Sequence, residues 1–214
     1  MYIWKVAPKS VTLQRKVAPK SVMIIKKVAP KSVIIDYNKG FIMDIFVAMV
    51  SSPLGWLRLE AKGKALVGCT WIDEPTFDEN CAMMQGEDNV EPECITAARR
   101  QLDEYFRGER RAFDLPLKPC GTDFQKTVWH QLALIPYATT LSYSTLARLV
   151  GRPKAARAVA QACHRNPLAV IIPCHRVIGA NGSLTGYAAG LERKQGLLNI
   201  ENRDVAEDHL IGRS

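Results

Sequence analysis

The sequence lacks any apolar stretch approaching the roughly 20 residues that a membrane span needs. It also opens without the charged and then apolar pattern of a secretory signal peptide. Both absences predict a cytoplasmic protein that does not use a membrane as a partner. A disordered body and a disulfide-stapled miniprotein are excluded, because 214 residues with 47% apolar composition are enough to bury a core.

Metal-ligand spacing is also missing. The six cysteines form no Cys-x-x-Cys pair and no Cys/His cluster of the kind that holds zinc. We therefore expect no metal and no other cofactor. In a reducing compartment the thiols are expected to act as packing residues or nucleophiles rather than to form disulfides. Packing roles are assigned to Cys69, Cys81, Cys94, Cys120 and Cys163.

Positive charge is unevenly distributed along the chain. Residues 1–42 hold nine basic residues and one acidic residue, so this segment carries the whole formal charge of +8. Residues 120–200 hold nine basic and two acidic side chains and form an electropositive block in an otherwise neutral body. A phosphate-binding face has this composition, and so does a solvated basic surface.

Residues 1–42 contain the segment Lys-Val-Ala-Pro-Lys-Ser-Val three times, at 5–11, 16–22 and 27–33. A proline in each copy interrupts a helix, and the apolar content is too thin for a stacked solenoid. This composition predicts a solvated, disordered extension. The alternatives are a basic arm with weak, salt-sensitive affinity for DNA, and upstream sequence that is not native, with Met43 as the true start.

From Met43 the pattern predicts an α+β fold. Residues 43–116 read as a small domain with three short strands (44–50, 56–61 and 65–71), an acidic loop over 73–93 and one helix that ends near Gly108. Residues 117–204 read as a mostly helical domain with a winged-helix-like helix-turn-helix, and residues 205–214 as a tail.

Capping and turn signals locate the helices of the second domain. Thr122 and Gln125 form a capping-box pattern, and Ser142 can cap a short helix that Gly151 ends. A further helix is predicted over 153–162. Two short helices around a tight glycine turn are typical of a helix-turn-helix, which also occurs in proteins that do not bind DNA.

The second of these helices is almost bare, because five of its residues are alanine and Arg157 is the long side chain in its middle. A helix that reads the major groove needs several long polar side chains. A bare helix can instead approach the minor groove closely and insert one arginine. A packed core helix whose arginine points outward would have the same sequence.

The segment Ile172-Pro173-Cys174-His175-Arg176-Val177 places a thiol beside an imidazole, after an apolar run over 170–172 that reads as a buried strand. A thiol becomes a strong nucleophile when an imidazole takes its proton, directly or through a water. Glu201, just beyond a last helix predicted over 191–199, can orient His175, and Asn166 can fix the backbone around the site. An inert core cysteine beside a surface histidine is the alternative.

In these motifs the sequence resembles the family of O6-alkylguanine-DNA alkyltransferases, also called methylated-DNA–protein-cysteine methyltransferases. The resemblance extends from about Met43 to Glu201 and rests on several segments in one order. These are Ser142-Tyr143, Arg152 to Val159, Asn166-Pro167, Ile172 to Val177, and Gly186-Tyr187 with the spacing to Lys194 and Glu201.

The resemblance implies direct-reversal DNA repair by a suicide methyltransferase. Such a protein transfers an alkyl group irreversibly, once, from O6-alkylguanine, and also from O4-alkylthymine, to its own Cys174. His175 would activate Cys174 through a water, and Glu201 would orient His175. A monomer would bind double-stranded DNA through the minor groove and flip the damaged nucleotide out of the stack.

The resemblance also assigns binding residues. Arg157 would fill the space left by the base, and Tyr143 would crowd the 3′ phosphate and donate a hydrogen bond to the guanine. Backbone groups at Cys174, Val177 and Ala188 would read the base, while Ala189 replaces a frequent glycine and narrows the pocket. The DNA-binding set is Tyr143, Ala156, Arg157, Ala158 and Arg165, and the pocket set is Tyr143, Val177, Tyr187, Ala188 and Lys194.

Two other functions stay open at this point. One is a lesion-binding DNA-binding protein without catalysis, for which Cys174 would be superfluous. The other is a cysteine hydrolase that uses Cys174, His175 and Glu201 on a small acyl substrate. The bare helix with Arg157 disfavours the hydrolase, which has no use for a minor-groove probe.

Overall fold

The computed structural model describes residues 45–73 and 91–210, with only the backbone described for Asp204 and for residues 206–210. The repeats of residues 1–42, the start of the first predicted strand, most of the predicted acidic loop with Cys81, and the end of the predicted tail lie outside these ranges. Within them, no helix combines the length and the apolar character that crossing a bilayer requires.

The first half of the chain is an antiparallel sheet covered by one helix. Strands β1 (Ile45–Ser52), β2 (Gly55–Lys62) and β3 (Ala65–Ile72) pair in the order β1-β2-β3. Alternate residues of β2 are buried, as expected for a sheet with one face on the core. Helix α1 (Glu93–Phe106) packs on that face, so the three predicted strands and the helix are confirmed.

The second half is mostly helical. It contains α2 (Asp123–Ala133), β4 (Leu141–Ser142), α3 (Tyr143–Leu149), α4 (Ala156–His164), β5 (Val177–Ile178) and α5 (Leu191–Leu210). The two short strands β4 and β5 pair in parallel. This pairing ties the start of α3 to the segment that follows Cys174.

The predicted capping signals position α2 and α3. The Thr122 side chain accepts a hydrogen bond from the Gln125 backbone N–H while the Gln125 side chain accepts one from the Thr122 backbone, a complete capping box. Ser142 caps α3, and Gly151 ends it with a φ of +72°, which glycine adopts without strain. The two predicted short helices with a glycine turn between them are present as α3 and α4, but α4 begins at Ala156, not at 153, because residues 153–155 still belong to the turn segment between the helices.

Three further predictions were wrong. Residues 170–172 are buried but form a turn, in which the β-branched Val170 has a φ of +69°, and a 3₁₀ turn over Cys174–Arg176 follows. A short apolar run does not distinguish a buried turn from a strand. The last helix continues past 199, so Glu201 lies inside α5. Of the cysteines assigned to packing, Cys69, Cys94 and Cys163 are buried, but Cys120 is exposed.

The free edge of β3 joins the two halves. The Cys69 N–H donates to the carbonyl of Pro167 at 2.8 Å, and the Cys69 carbonyl accepts from the Ala169 N–H at 2.8 Å. A second parallel bridge pairs Leu66 with Leu117. One continuous apolar core therefore runs through both halves and holds the end of β3 against the segment that carries Cys174.

Candidate active site

Cys174 lies in the wall of a cavity of about 470 Å³ between the sheet and the helical half. Its Sγ accepts a hydrogen bond from Asn166 Nδ2 at 3.2 Å. The same nitrogen donates to the Ile172 carbonyl at 2.8 Å, and Asn166 Oδ1 accepts from the Leu168 N–H at 3.1 Å. These bonds orient the amide so that it presents a donor to the sulfur. Asn166 thus contacts the predicted nucleophile itself as well as the backbone around it.

The surroundings of Cys174 act on its pKa in opposite directions. Burial is the largest influence and raises the pKa of the thiol above its ordinary value. The hydrogen bond from Asn166 and the positive charge of Lys194 oppose this rise, because both favour the thiolate. The resting sulfur is therefore a protonated thiol that needs a base, in a site already arranged to receive the anion.

His175 and Glu201 meet directly. His175 Nε2 lies 2.8 Å from Glu201 Oε1, and both side chains are completely buried. Burial lowers the pKa of His175, and the hydrogen bond to Glu201 opposes this effect. A neutral imidazole that donates from Nε2 leaves its lone pair on Nδ1. Within the described residues, that buried Nδ1 has no hydrogen-bond partner.

Glu201 is the centre of a larger buried network. Its carboxylate accepts hydrogen bonds from Tyr105 Oη at 2.8 Å and from the Ala138 N–H at 3.0 Å. Arg176 donates to it through Nε at 3.0 Å and Nη2 at 2.9 Å. Burial would raise the pKa of Glu201, but the hydrogen bonds and charges of His175 and Arg176 more than offset it and hold the pKa at about 2. The carboxylate is therefore ionised at neutral pH.

The sequence predictions missed Arg176 and Tyr105 as members of this network. A buried carboxylate needs a compensating cation, and Arg176 is the residue after His175. The sequence therefore contained a signal that could have identified Arg176 as a partner of Glu201. Arg176 also donates to the Ile135 carbonyl at 2.7 Å and lies over the Tyr137 ring. Tyr105 carried no signal, because its spacing within α1 identified it only as a core residue.

Three predicted pocket residues lie beneath the loop over 185–187. Lys194 Nζ donates to the Val177 carbonyl at 2.6 Å and to the Thr185 carbonyl at 2.7 Å. Tyr143 Oη also donates to the Thr185 carbonyl, at 3.0 Å, and burial raises the pKa of Tyr143 to about 12. Lys194 is fully buried, and burial lowers its pKa. These contacts fix the loop that leads into Tyr187.

The cavity itself is lined by Asn166, Cys174, Tyr187 and Ala188 from the predicted set, and also by Trp71 and Arg193, which the sequence predictions missed. Its volume falls within the range of small-molecule sites. Among the residues that the structure describes, no group of three His, Cys, Asp or Glu side chains is placed to hold a metal ion.

Helix α4 has one buried and one exposed face. Val159, Ala162 and Cys163 are buried in the core. Arg157, Ala158 and, just beyond the helix, Arg165 are exposed, and Ala156 is half-buried. The prediction of core packing therefore applies to the buried face of α4. The prediction of minor-groove contact applies to the exposed face, which carries Arg157.

The site combines a cysteine in a cavity wall, a buried histidine–glutamate pair and an adjacent helix-turn-helix. This combination is typical of a protein that uses a cysteine nucleophile and binds DNA. Residues 45–119 match the model of the ribonuclease-like domain of 6-O-methylguanine DNA methyltransferase, and residues 123–203 match that of its DNA binding domain. The chain belongs to the 6-O-methylguanine DNA methyltransferase family, as its motifs predicted.

Individual relatives agree with this assignment. The methylated-DNA–protein-cysteine methyltransferase of Methanosarcina acetivorans is 56% identical over 170 residues, which cover 73% of this chain and 98% of that protein. The protein of the same name from Mycobacterium leprae is 44% identical over 73% of this chain and 92% of its own. A crystal structure of the Mycobacterium tuberculosis protein in complex with DNA shares 41% identity and a TM-score of 0.63, covering 73% of this chain and 92% of that one.

Proposed function

We propose that this protein repairs DNA by transferring an alkyl group, once and irreversibly, from O6-alkylguanine to Cys174. O4-alkylthymine is the second expected substrate. The observation that carries the proposal is the pairing of Cys174 Sγ with Asn166, beside a buried histidine whose Nε2 is held by Glu201 and whose Nδ1 is unpaired within the described residues. A thiol in this setting is equipped to lose its proton and react.

The proposed reaction is an in-line displacement. His175 Nδ1 takes the Cys174 proton through a water, and Glu201 stabilises the resulting imidazolium. The sulfur then forms a bond to the alkyl carbon while the bond from that carbon to guanine O6 breaks. The electron pair stays on O6, and the guanine anion takes up a proton, which the His175 imidazolium gives back through the solvent, so that His175 returns to its neutral form. The product is a thioether, from which no group of the site can expel the alkyl chain, so the protein reacts once and needs no cofactor.

The proposed mode of DNA binding uses the exposed face of α4. Ala156 and Ala158 leave the backbone bare, so the helix can enter the minor groove, and Arg157 can occupy the gap left by the flipped nucleotide. Arg165 and Tyr143 contribute phosphate contacts from either side. The protein would act in the cytoplasm. It would act as a monomer, because within the described residues a single chain holds both the helix-turn-helix and the cavity with Cys174 that one lesion needs.

In the pocket, the carbonyls of Cys174 and Val177 would accept from the exocyclic amine of guanine, and the Ala188 N–H would donate to O6. Tyr187 would form a wall, with Lys194 supporting the loop from below through its two carbonyl contacts. Ala189, which replaces a glycine frequent in the family, would narrow the pocket against bulky adducts.

The test is the intact mass of the protein after incubation with duplex DNA that contains one O6-methylguanine. We expect every reactive molecule to gain one methyl group in place of one proton, and no more with excess DNA. Binding without a mass change would indicate a lesion-binding protein. If the protein shows no binding and no mass change, the result would favour the cysteine hydrolase.

Replacing Arg157 with alanine should separate nucleotide flipping from chemistry. Without the side chain that fills the gap in the stack, methyl transfer from duplex DNA should slow about 10- to 100-fold, because extrusion of a base costs a few kcal/mol. Transfer from free O6-methylguanine should change less than about twofold. Single-turnover rates with both substrates make this comparison.

Lys64→Ala is the matched control, since it also removes one exposed cation but lies in the turn before β3, in the sheet half of the chain. Its rates with both substrates should equal those of the unaltered protein. Equal losses on duplex and free base in the Arg157 variant would contradict the proposed role in flipping.

A further inference from the structure

The end of β3 contributes an aromatic side chain to the cavity. Trp71 lies in the cavity wall, in the half of the chain that showed no sign of chemistry in the sequence. Its Nε1–H donates a hydrogen bond to Tyr187 Oη at 3.1 Å, and its ring meets Phe106 of α1 edge-on at 6.5 Å between centroids. Trp71 therefore links the sheet to the wall that Tyr187 forms.

The chemistry of this hydrogen bond fixes the direction of both groups. An indole N–H is a donor only, so the Tyr187 oxygen must serve as the acceptor. Tyr187 is largely buried, and burial raises the pKa of its hydroxyl, which keeps the hydroxyl protonated. The bond thus holds the Tyr187 ring at a set position beside Ala188, which also lines the cavity.

Arg193 holds Trp71 from its other side. The guanidinium carbon lies 5.2 Å from the centre of the Trp71 ring, in a cation–π contact. Arg193 also donates to the Leu54 carbonyl at 3.2 Å and, less closely, to the Ile72 and Ala189 carbonyls at 3.4 Å. The Arg193 side chain, near the start of α5, therefore contacts the turn between β1 and β2, the end of β3 and the loop that follows Tyr187.

We infer that Trp71 is a positioning residue for substrate capture: its hydrogen bond to Tyr187, supported by Arg193, holds the Tyr187–Ala188 wall in place for the alkylated base. The inference rests on the proposed function and deepens it. It assigns part of the base-binding site to the sheet half of the chain. Trp71 acts through Tyr187 and not on the reacting atoms, so its loss should weaken binding of the base and leave the chemical step intact.

A double-mutant cycle on methyl transfer from free O6-methylguanine tests this inference. Trp71→Phe removes the donor but keeps an aromatic ring for Arg193 and Phe106, and Tyr187→Phe removes the acceptor but keeps the wall. We expect each variant to react about three- to tenfold more slowly at low base concentration, as for the loss of one buried hydrogen bond. The double variant should be no slower than the slower single variant, because both remove the same bond. Losses that multiply would overturn the inference.

Two further measurements exclude a merely structural effect. The concentration of base that gives half the maximal rate should rise in Trp71→Phe, while the limiting rate stays within about twofold. The control is Trp129→Phe, which also breaks a buried indole hydrogen bond, from Nε1 to the Ala162 carbonyl at 2.8 Å. It should lower the unfolding temperature without this rise.

The outcomes keep the two proposals apart. If the unaltered protein gains no methyl group, the proposed function itself fails. If the unaltered protein reacts and Trp71→Phe reacts with the same concentration dependence, only the positioning role of Trp71 fails. A fall in the limiting rate alone would also overturn the role in capture.

Discussion

Replacing Cys174 with alanine should abolish methyl transfer to the protein while binding to methylated duplex DNA persists. The reason is that the sulfur is the proposed acceptor, whereas Arg157 and Ala158, the exposed α4 residues proposed to contact DNA, do not line the cavity that holds Cys174. Intact mass should show no methyl gain, and a gel-shift or anisotropy titration should show affinity within a few-fold of that of the unaltered protein.

Cys163→Ala is the matched control for this variant. Cys163 is buried and lines the same cavity as Cys174, and burial raises its pKa as well. It differs from Cys174 in that no Asn166 donor contacts its sulfur among the described residues. Methyl uptake should therefore continue in Cys163→Ala. Methylation of the Cys174→Ala protein, located by peptide mapping, would move the acceptor to another residue.

Of the variants proposed for this protein, Glu201→Gln should have the largest loss in the free energy of unfolding. The change keeps the size of the side chain but leaves the buried Arg176 guanidinium without its counter-charge. Breaking a buried ion pair on one side costs about 3–5 kcal/mol, which corresponds to an unfolding temperature lower by roughly 10 °C. Glu192→Gln, an exposed glutamate on the same helix, should stay within about 0.5 kcal/mol of the unaltered protein.

The Glu201→Gln variant should also transfer the methyl group more slowly. Without the carboxylate, His175 loses the group that fixes its Nε2–H and stabilises the imidazolium, so methyl transfer from free base should fall roughly 100-fold. Single-turnover rates measured well below the unfolding temperature separate this effect from the loss of stability. A Glu201→Gln protein that is as stable and as fast as the Glu192 variant would contradict the role of the network.

The low pKa of Glu201 determines how stability should depend on pH. The carboxylate has a pKa of about 2 in the folded protein, against an ordinary value of 4.5. Its contribution is therefore fully present above about pH 4.5 and is lost as the pH falls toward 2. The lowered pKa of His175 acts in the same direction below about pH 6.5. Denaturant unfolding at several pH values should show a steeper acid loss in the unaltered protein than in Glu201→Gln.

Local signals in the sequence were enough to predict much of the fold. The capping box at Thr122 and Gln125, the Ser142 cap and the Gly151 stop depend on residues within one helical turn, so their pattern is readable along the chain. The same holds for the adjacent Cys174 and His175. Their contact with the rest of the site required the 3₁₀ turn, which followed an apolar run that looked like a strand.

The other parts of the site depend on contacts between distant segments. Tyr105 reaches Glu201 from α1, and Trp71 reaches Tyr187 from β3. Each looks in the sequence like an ordinary core aromatic, since periodicity reports that a side chain is buried but not which atom its hydroxyl or N–H will meet. The extent of α5 was missed for a related reason, because its polar last turns lack the apolar spacing that marks a helix.

The parallel bridge between Cys69 of β3 and Leu168, in the segment before Cys174, has a consequence for folding. Cys69 exchanges backbone hydrogen bonds with Pro167 and Ala169. The segment that leads into Cys174 can therefore make these bonds only after the edge of β3 is in place. Pairings between segments this far apart along the chain form late and slowly. Each molecule should therefore gain reactivity in the same cooperative step that joins its halves, and a nascent chain would remain inert until that step.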